Sequence, residues 1–532
     1  MLAGDDEVAL RTVSLLTNDT QAARRATQGP HWDLAGELPW IGDDVRTVQI
    51  LTVVVDDLAV NALGALVDVA GVLDPAGLAP VGGRVDLDPI SDSAARVVSA
   101  DRSAQAAEAA LGAIDTEPLL PQLGLAVDGL TAQVNDLAAL TATGSRAVRL
   151  LPPMLGGEGP RDYLLLVQNN SEPRALGGLP GSYVHLRADD GAITFVESRS
   201  AVEVGSAPVP VLELTRAERG LFGTQIGRFP GNVTSTPDFP RAAQLAREFW
   251  RASTGFEVDG VIAVDPVALS MLLRATGSVV LPTGEQLTAD NASQLLLNQV
   301  YKQVSDPSAQ DAFFASAATS VFDALVLRPV DPTAAIAALD EMADEGRLMV
   351  WSSVHEEQEM LEGTVLSGEL RGQVGNSPLV GIYVHDTSGA KIAYYQGVHA
   401  EVAAVEMRAD GSQILTVTVT VSSQVPAEVE SLPPSLTGGG DVVPVGTIRS
   451  EISVYAPTNG RILSATSTDP DSRFRTHIHD GLMVGTNVVT LKPGESIDLE
   501  FTLESGPRQF GEPMARITPG PDVDQFVART SS

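Results

Sequence analysis

The hydrophobic pattern changes period twice along these 532 residues, so no single uniform core can accommodate the chain. From Met1 to about Gly144 it is Ala/Val/Leu/Asp-rich and helical. Leu123, Val127, Leu130, Val134 and Leu137 recur at spacings of four and three, a short heptad stripe. Ser99–Ile114 has the same character. Pro30, Pro39, Pro80, Pro89, Pro118 and Pro121 divide the region into separate helices. Residues 1–150 are therefore expected to form a helical bundle or stalk, with the stripe as packing core.

Between Arg161 and Leu361 strand-like and helix-like patterns alternate, as in an α/β domain. Tyr163–Val167, Ile193–Glu197 and Val258–Val264 are predicted strands. Arg241–Arg251, Pro266–Ala275, Asp290–Val304, Asp311–Leu325 and Pro332–Glu345 are predicted helices. Pro240, Pro266 and Pro332 fit helix starts, where a missing N–H costs nothing. After Gly372 helical periodicity stops. Val380–Val384, Lys391–Tyr395, Val402–Met407, Ile414–Val421, Ile448–Tyr455, Val488–Leu491 and Ser496–Leu503 read as strands, separated by turn signals such as Asp410-Gly411 and Asn459-Gly460. Their spacing suggests a β-sandwich. Ser431–Pro444 reads as a long exposed loop and Thr518–Ser532 as a frayed end. The expectation is a multidomain α+β chain: helical bundle or stalk 1–150, α/β domain 151–372, β-sandwich 373–520, flexible tail 521–532.

Composition narrows the function classes. Hydrophobic residues make up 44% and charged residues 19%, a balance that supports folding. A net charge of −34 argues against nucleic acid, whose phosphates need Lys and Arg. It also disfavours flat adsorption to anionic lipid. Cysteine is absent, which excludes disulfides, thiol nucleophiles and Cys-ligated metal sites. The most apolar segment, Val48–Leu73, carries Asp56, Asp57 and Asp68, too many charges for a bilayer span.

No Walker loop, HExxH or G-x-S-x-G motif is present. His477 and His479 face one side of a strand and offer a metal pair, although Arg473 and Arg475 would oppose a cation. The richer feature is Arg161–Tyr183, RDYLLLVQNNSEPRALGGLPGSY. An apolar run ends in an amide corner at Gln168, Asn169 and Asn170. A lone guanidinium follows at Arg174, then a turn containing Gly177, Gly178 and Gly181. Such corners commonly present backbone N–H groups and one charge to a ligand. The alternative is an ordinary strand and tight crossover, with Arg174 paired to Glu172 or a carbonyl.

The motif NN-x-E-x-R-x-x-G-G-x-x-G-S-Y, carried by Asn169, Asn170, Glu172, Arg174, Gly177, Gly178, Gly181, Ser182 and Tyr183, resembles the signature of a bacterial cell-envelope family. That family is known mainly as a domain of unknown function, distantly related to the LytR-CpsA-Psr (LCP) phosphotransferases. Asn232–Asp238, Val258–Asp265, Pro266–Gly277, the run from Asp311 and Arg347–Trp351 agree with it, while Leu179 stands where an aromatic is expected. The resemblance implies an LCP-like central domain whose arginines and aspartates line a pocket for a polyprenyl-pyrophosphate-linked glycan. It places Arg199 at the LCP arginine of ITFVESRSAVEV, with Ser200 or Ala201 where an acid should stand. It also departs from the LCP pattern: the arginine-rich helix start is replaced by Ser308, Ala309, Gln310 and Asp311.

On that basis Arg174 and Arg199 are candidate catalytic groups. Asn169, Asn170, Arg174, Gly177, Gly178, Arg228 and Arg241 are candidate ligand contacts. Asp238 and Asp265 are candidate ligands for Mg²⁺, which pyrophosphate chemistry would use. Against this, Arg241, Arg247 and Arg251 also suit the wet face of a helix, and Asp265 before Pro266 suits a helix cap. The resemblance implies an extracytoplasmic, membrane-tethered protein whose anchor lies upstream of this chain. Three functions follow as expectations: binding an anionic glycolipid or glycopolymer, transferring a glycopolymer from polyprenyl pyrophosphate to a cell-wall acceptor, or a non-enzymatic structural or adhesive role.

Overall fold

The structure is a computed structural model that describes residues 5–63, 82–327 and 331–531. It is mixed helical and sheet, with a helical N-terminal region and C-terminal strands gathered into sheets. The chain divides into two units, 1–160 with 188–192, and 161–187 with 193–532.

The first unit is built on the helices Asp5–Ala26, Pro30–Gly36, Gly42–Asp57, Asp88–Gly112 and Pro121–Met154. Small residues let two of them approach closely: Ala100, Ala104, Ala107 and Leu111 pack with Val134 and Ala138, and Val54, Leu58 and Ala62 complete the cluster. Of the predicted stripe, Val127 and Val134 are buried and Leu123, Leu130 and Leu137 half-buried. Asp56 is buried beside them, accepting from Thr20 at 3.1 Å and pairing with Arg24 at 2.9 Å. Among the described residues no helix is long and apolar enough to cross a membrane. The end of Val48–Leu73 lies outside them.

The second unit opens with a five-stranded sheet. Its strands are β1 (Arg161–Asn169), β2 (Leu179–Asp189), β3 (Ala192–Ser200), β4 (Gly260–Val264) and, after the small hairpin β5 (Val279–Val280) and β6 (Gln286–Leu287), β7 (Met349–Ser352). The order is β3-β2-β1-β4-β7. β1 runs parallel to β4 from Tyr163↔Gly260 to Val167↔Val264, and β7 is antiparallel to β4. The apolar helix face Phe239, Ala242, Ala243, Leu245, Ala246, Phe249 and Trp250 is buried in the same core as Leu164, Leu166 and Val261. That helix, Phe239–Thr254, starts at the Asp238 cap and stops at Gly255 in the left-handed region. β2 escapes the strand pattern because Pro180 and Gly181 interrupt it.

Two further sheets enclose a common core. The short β8 (Gln373–Val374) leads to β9 (Ser377–Asp386), β10 (Gln396–Met407), β11 (Gln413–Ser423), β12 (Ile448–Tyr455), β13 (Arg461–Ser467), β14 (Arg475–His479), β15 (Leu482–Leu491), β16 (Ser496–Glu504), β17 (Met514–Ile517) and β18 (Phe526–Ser531). One sheet has the order β13-β16-β11-β10-β18 and the other contains β14-β15-β12-β9-β17. Val417, Val419, Val421, Leu499 and Phe501 of the first meet Ile382, Val384, Ile452 and Val454 of the second. β11 alternates buried and half-buried residues along its whole length, as period two requires.

Three local expectations are corrected. Lys391–Tyr395 is a 3₁₀ helix rather than a strand, with Ile392 and Ala393 both fully buried. Ser431–Pro444 is not simply exposed: it holds a helical turn, Pro434–Thr437, whose Leu436 is fully buried. The C-terminal segment does not fray. β18 pairs in parallel with β10, and Phe526 enters the core.

Candidate functional site

The amide corner after β1 is closed by its own side chains. Gln168 Oε1 accepts from Gly178 N (3.2 Å), and Asn169 Oδ1 accepts from Ser171 N (3.0 Å). Asn169 Nδ2 donates to the Tyr301 hydroxyl at 2.9 Å. Asn170, fully buried, donates to Asp265 Oδ2 (2.9 Å) and to the Pro519 carbonyl (3.1 Å). Gly177 has φ of 130°, and a Cβ on Gly178 would run into the Asn169 carbonyl. Thr234 and Tyr183 tie the corner to the segment around residue 230, donating to the Gly178 and Pro230 carbonyls, each at 2.8 Å. Most of the motif is thus engaged in closing the turn.

Arg174 is what the turn presents. Its Nε and Nη2 donate to Asn232 Oδ1, both at 3.3 Å, and Nη1 donates to the Pro173 carbonyl at 2.9 Å. Asp386 offers its carbonyl at 3.5 Å and its charge nearby. Burial draws the Arg174 pKa down, and the charges of Asp386 and Glu172 oppose that. Glu172 pairs with Lys391 at 3.0 Å rather than with Arg174. Burial alone would raise its pKa, but the charges of Lys391 and Arg174 outweigh burial and hold it low.

Arg174 lines a cleft with two adjoining chambers. The chamber of about 270 Å³ is bounded by Arg174, Gln225, Asn232, Asp386 and Gly389. The other, about 170 Å³, is bounded by Ala175, Leu221, Tyr383, Glu451, Ser453 and Tyr455. Phe222, Ser235, His385 and Thr387 line both. Small-molecule sites typically run roughly 300–1,000 Å³, so each chamber suits one chemical group. One wall is the outer face of the β9/β12 ladder. Ile382, Val384, Ile452 and Val454 point into the core, leaving Tyr383, His385, Glu451, Ser453 and Tyr455 on the alternate face. His385 is the register partner of Glu451, and Tyr383 of Ser453.

The electrostatics of this wall come from enclosure. Burial, then the Arg174 charge, pushes the His385 pKa well below the usual imidazole value, so the ring is neutral at pH 7. The residue is half-buried, yet its Nδ1 is enclosed with no hydrogen-bond partner among the described residues. Burial lifts the Asp386 carboxyl to about 6 against the pull of Arg174, and its oxygens accept from Ser388 N (3.0 Å) and Gly389 N (3.3 Å). Glu451 is also raised by burial, with Arg475 opposing. Phe222 follows the short helix Arg216–Leu221, which opens with a Thr215/Glu218 capping box. Arg241 fixes that helix through Glu218 at 2.6 Å. His479 Nδ1 meets the Tyr455 hydroxyl at 3.0 Å, and the Phe222 and His479 rings pack edge-to-face with centroids 5.4 Å apart.

The other candidates lie elsewhere. Arg199 donates to Glu197 (3.0 Å) and Ser253 (3.3 Å), with its guanidinium 5.4 Å from the Trp250 ring. Arg228 donates to the Ala207 carbonyl at 3.2 Å and lies over Phe229. Asp238 caps its helix through Arg241 N (3.2 Å) and also accepts from Leu370 N (3.0 Å). Asp265 caps the helix Pro266–Thr276 through Ala268 N at 2.7 Å. Asn169 and Asn170 serve the corner, not the cleft. Among the described residues no group of three or more His, Asp or Glu is placed to hold a metal ion. His477 and His479 share a strand, but His479 is buried and bonded to Tyr455. The residues that complete the cleft, Tyr383, His385, Asp386, Glu451 and Tyr455, gave only the signal of polar and aromatic side chains at alternate strand positions.

Residues 158–301 match a family described as a protein of unknown function (DUF4012). The matched segment includes Arg174, Phe222, Gln225, Asn232 and Ser235, and excludes the β9/β12 wall. No curated protein matches the sequence.

Proposed function

We propose that this chain is an extracytoplasmic cell-envelope protein, tethered to the membrane by an anchor upstream, whose cleft binds the acidic group of a glycolipid or glycopolymer. The relation of its central domain to LCP proteins, and the β-sandwich form of its C-terminal part, belong to the same reading. The observation that carries it is the Arg174 guanidinium, largely buried and fixed by Asn232 at the wall of an aromatic-lined cleft. A guanidinium has five N–H groups in a fixed fork, and an acidic oxygen is the partner that fork suits best. Enclosure strengthens that attraction relative to open water.

Binding is favoured over transfer. A departing pyrophosphate needs several cations around it. Arg199, Arg228 and Arg241 are committed to partners outside the two chambers, and Lys391 is paired with Glu172.

Calorimetric titration with a short-chain polyprenyl pyrophosphate, with and without Mg²⁺, tests the reading. Saturable binding by the intact protein, weakened at least about tenfold in both Arg174→Lys and Asn232→Ala, is expected. No saturable binding by the folded protein, or binding unchanged in both variants, overturns it.

A further inference from the structure

We infer that the chamber over β9 and β12 is a subsite for a single uncharged, hydroxyl-rich ring, a neutral sugar unit adjoining the acidic group held at Arg174. The placement of that acidic group rests on the function proposed above; the chamber's own chemistry does not.

The two chambers share Phe222, Ser235, His385 and Thr387, so one molecule can occupy both. The aromatic groups Phe222, Tyr383 and Tyr455 border the smaller chamber, with the two tyrosine rings edge-to-face at 5.4 Å. An aromatic border of this kind suits the C–H surface of a pyranose. The remaining lining mixes Ser453, Glu451 and the Nδ1 of His385.

That mixture excludes other ligand classes. The enclosed His385 Nδ1 has no partner among the described residues, so a purely apolar occupant would leave its desolvation cost in place. A second anionic group would meet Glu451. A hydroxyl both donates and accepts, and it satisfies a neutral imidazole, a carboxyl and a serine equally. His385 and Glu451 are register partners on adjacent antiparallel strands, which sets their β-carbons about 4.5–5.5 Å apart. Two neighbouring hydroxyls on one ring can therefore be addressed together. A volume near 170 Å³ limits the subsite to one ring.

The test is calorimetric titration of the whole chain with inorganic phosphate, with neutral hexoses (glucose, galactose, N-acetylglucosamine) and with their 1-phosphates. At least one hexose 1-phosphate is expected to bind tighter than phosphate by tenfold or more. Glu451→Gln and Ser453→Ala, both confirmed folded by thermal melting, should each lose about fivefold of that gain, and neither should weaken phosphate binding.

If phosphate binds and no hexose adds affinity, the subsite is overturned while the Arg174 reading stands. If hexose binding depends on Glu451 although phosphate fails to bind, the subsite stands and the anion reading falls. If nothing binds, both fall.

Discussion

Arg347 and Asp265 form a 2.7 Å ion pair with side chains only 3% and 1% exposed. The same carboxylate oxygen accepts from Asn170, and Arg347 also donates to the Gly520 carbonyl at 3.0 Å. One buried pair therefore joins the amide corner, the helix Pro266–Thr276 and the C-terminal segment. Removing one partner leaves a buried charge uncompensated, which costs about 3–5 kcal/mol. Arg347→Leu is expected to lower unfolding stability by that amount in urea denaturation. Replacing both, Arg347→Leu with Asp265→Asn, should recover part of the loss, because the stranded charge is gone.

Asp386 gives the chain a pH dependence. Its folded carboxyl titrates near 6 against 3.8 for the free group. The folded state holds this proton more tightly, so its contribution is complete below about pH 3.8 and is lost as pH rises through about 6. Asp386→Asn should therefore stabilise the protein above pH 7, on the order of 2–3 kcal/mol, and change little near pH 4. Urea midpoints of both proteins across that range check it. A constant difference at all pH values would refute it.

The glycines of the corner are not equivalent. A Cβ on Gly178 meets the Asn169 backbone, whereas one on Gly181 has its nearest neighbour, the Val167 carbonyl, 4.0 Å away. Gly178→Ala should cost about 1–3 kcal/mol or more, and Gly181→Ala well under 1 kcal/mol. Thermal melting of the two variants side by side separates them.

Arg174 and Arg199 read alike in the sequence but should differ in binding. Arg199 is held by Glu197, Ser253 and Trp250 outside the chambers. Arg199→Ala is expected to leave inorganic phosphate affinity unchanged, while Arg174→Lys reduces it about tenfold by losing the fork. Calorimetry at constant ionic strength makes the comparison, since salt screens exposed charges.

The C-terminal strand should be part of the stable fold. Phe526 is 5% exposed within the core, and β18 covers the edge of β10. Phe526→Ala should cost about 3–5 kcal/mol. Deleting residues 521–532 should lower the melting temperature and promote association through the bared edge. An unchanged melting temperature in the truncated chain would contradict this.

Much of the local structure was written in the sequence. Period and punctuation placed the helices Phe239–Thr254, Pro266–Thr276 and Pro332–Asp344 and the strands around Tyr163–Val167 and Ile414–Val421, because a buried stripe and a proline or capping start depend on near neighbours alone. The same locality singled out Arg174, a lone cation in a turn that needs glycine. The weak points were β2, hidden by Pro180 and Gly181, and Lys391–Tyr395, whose apolar and aromatic run imitates a strand although it forms a 3₁₀ helix.

Tertiary structure decided what surrounds that cation. Asn232 stands 58 residues away, and the Asp386 carbonyl 212. His385 and Glu451 are register partners on two adjacent strands. Period two says which side of a strand a residue occupies, but not what covers that side. Likewise Arg199, Arg228 and Arg241 match Arg174 in type, and only the fold reveals that Glu197, the Ala207 carbonyl and Glu218 hold them. A charge's role depends on which group reaches it first, and that depends on distance in space rather than order along the chain.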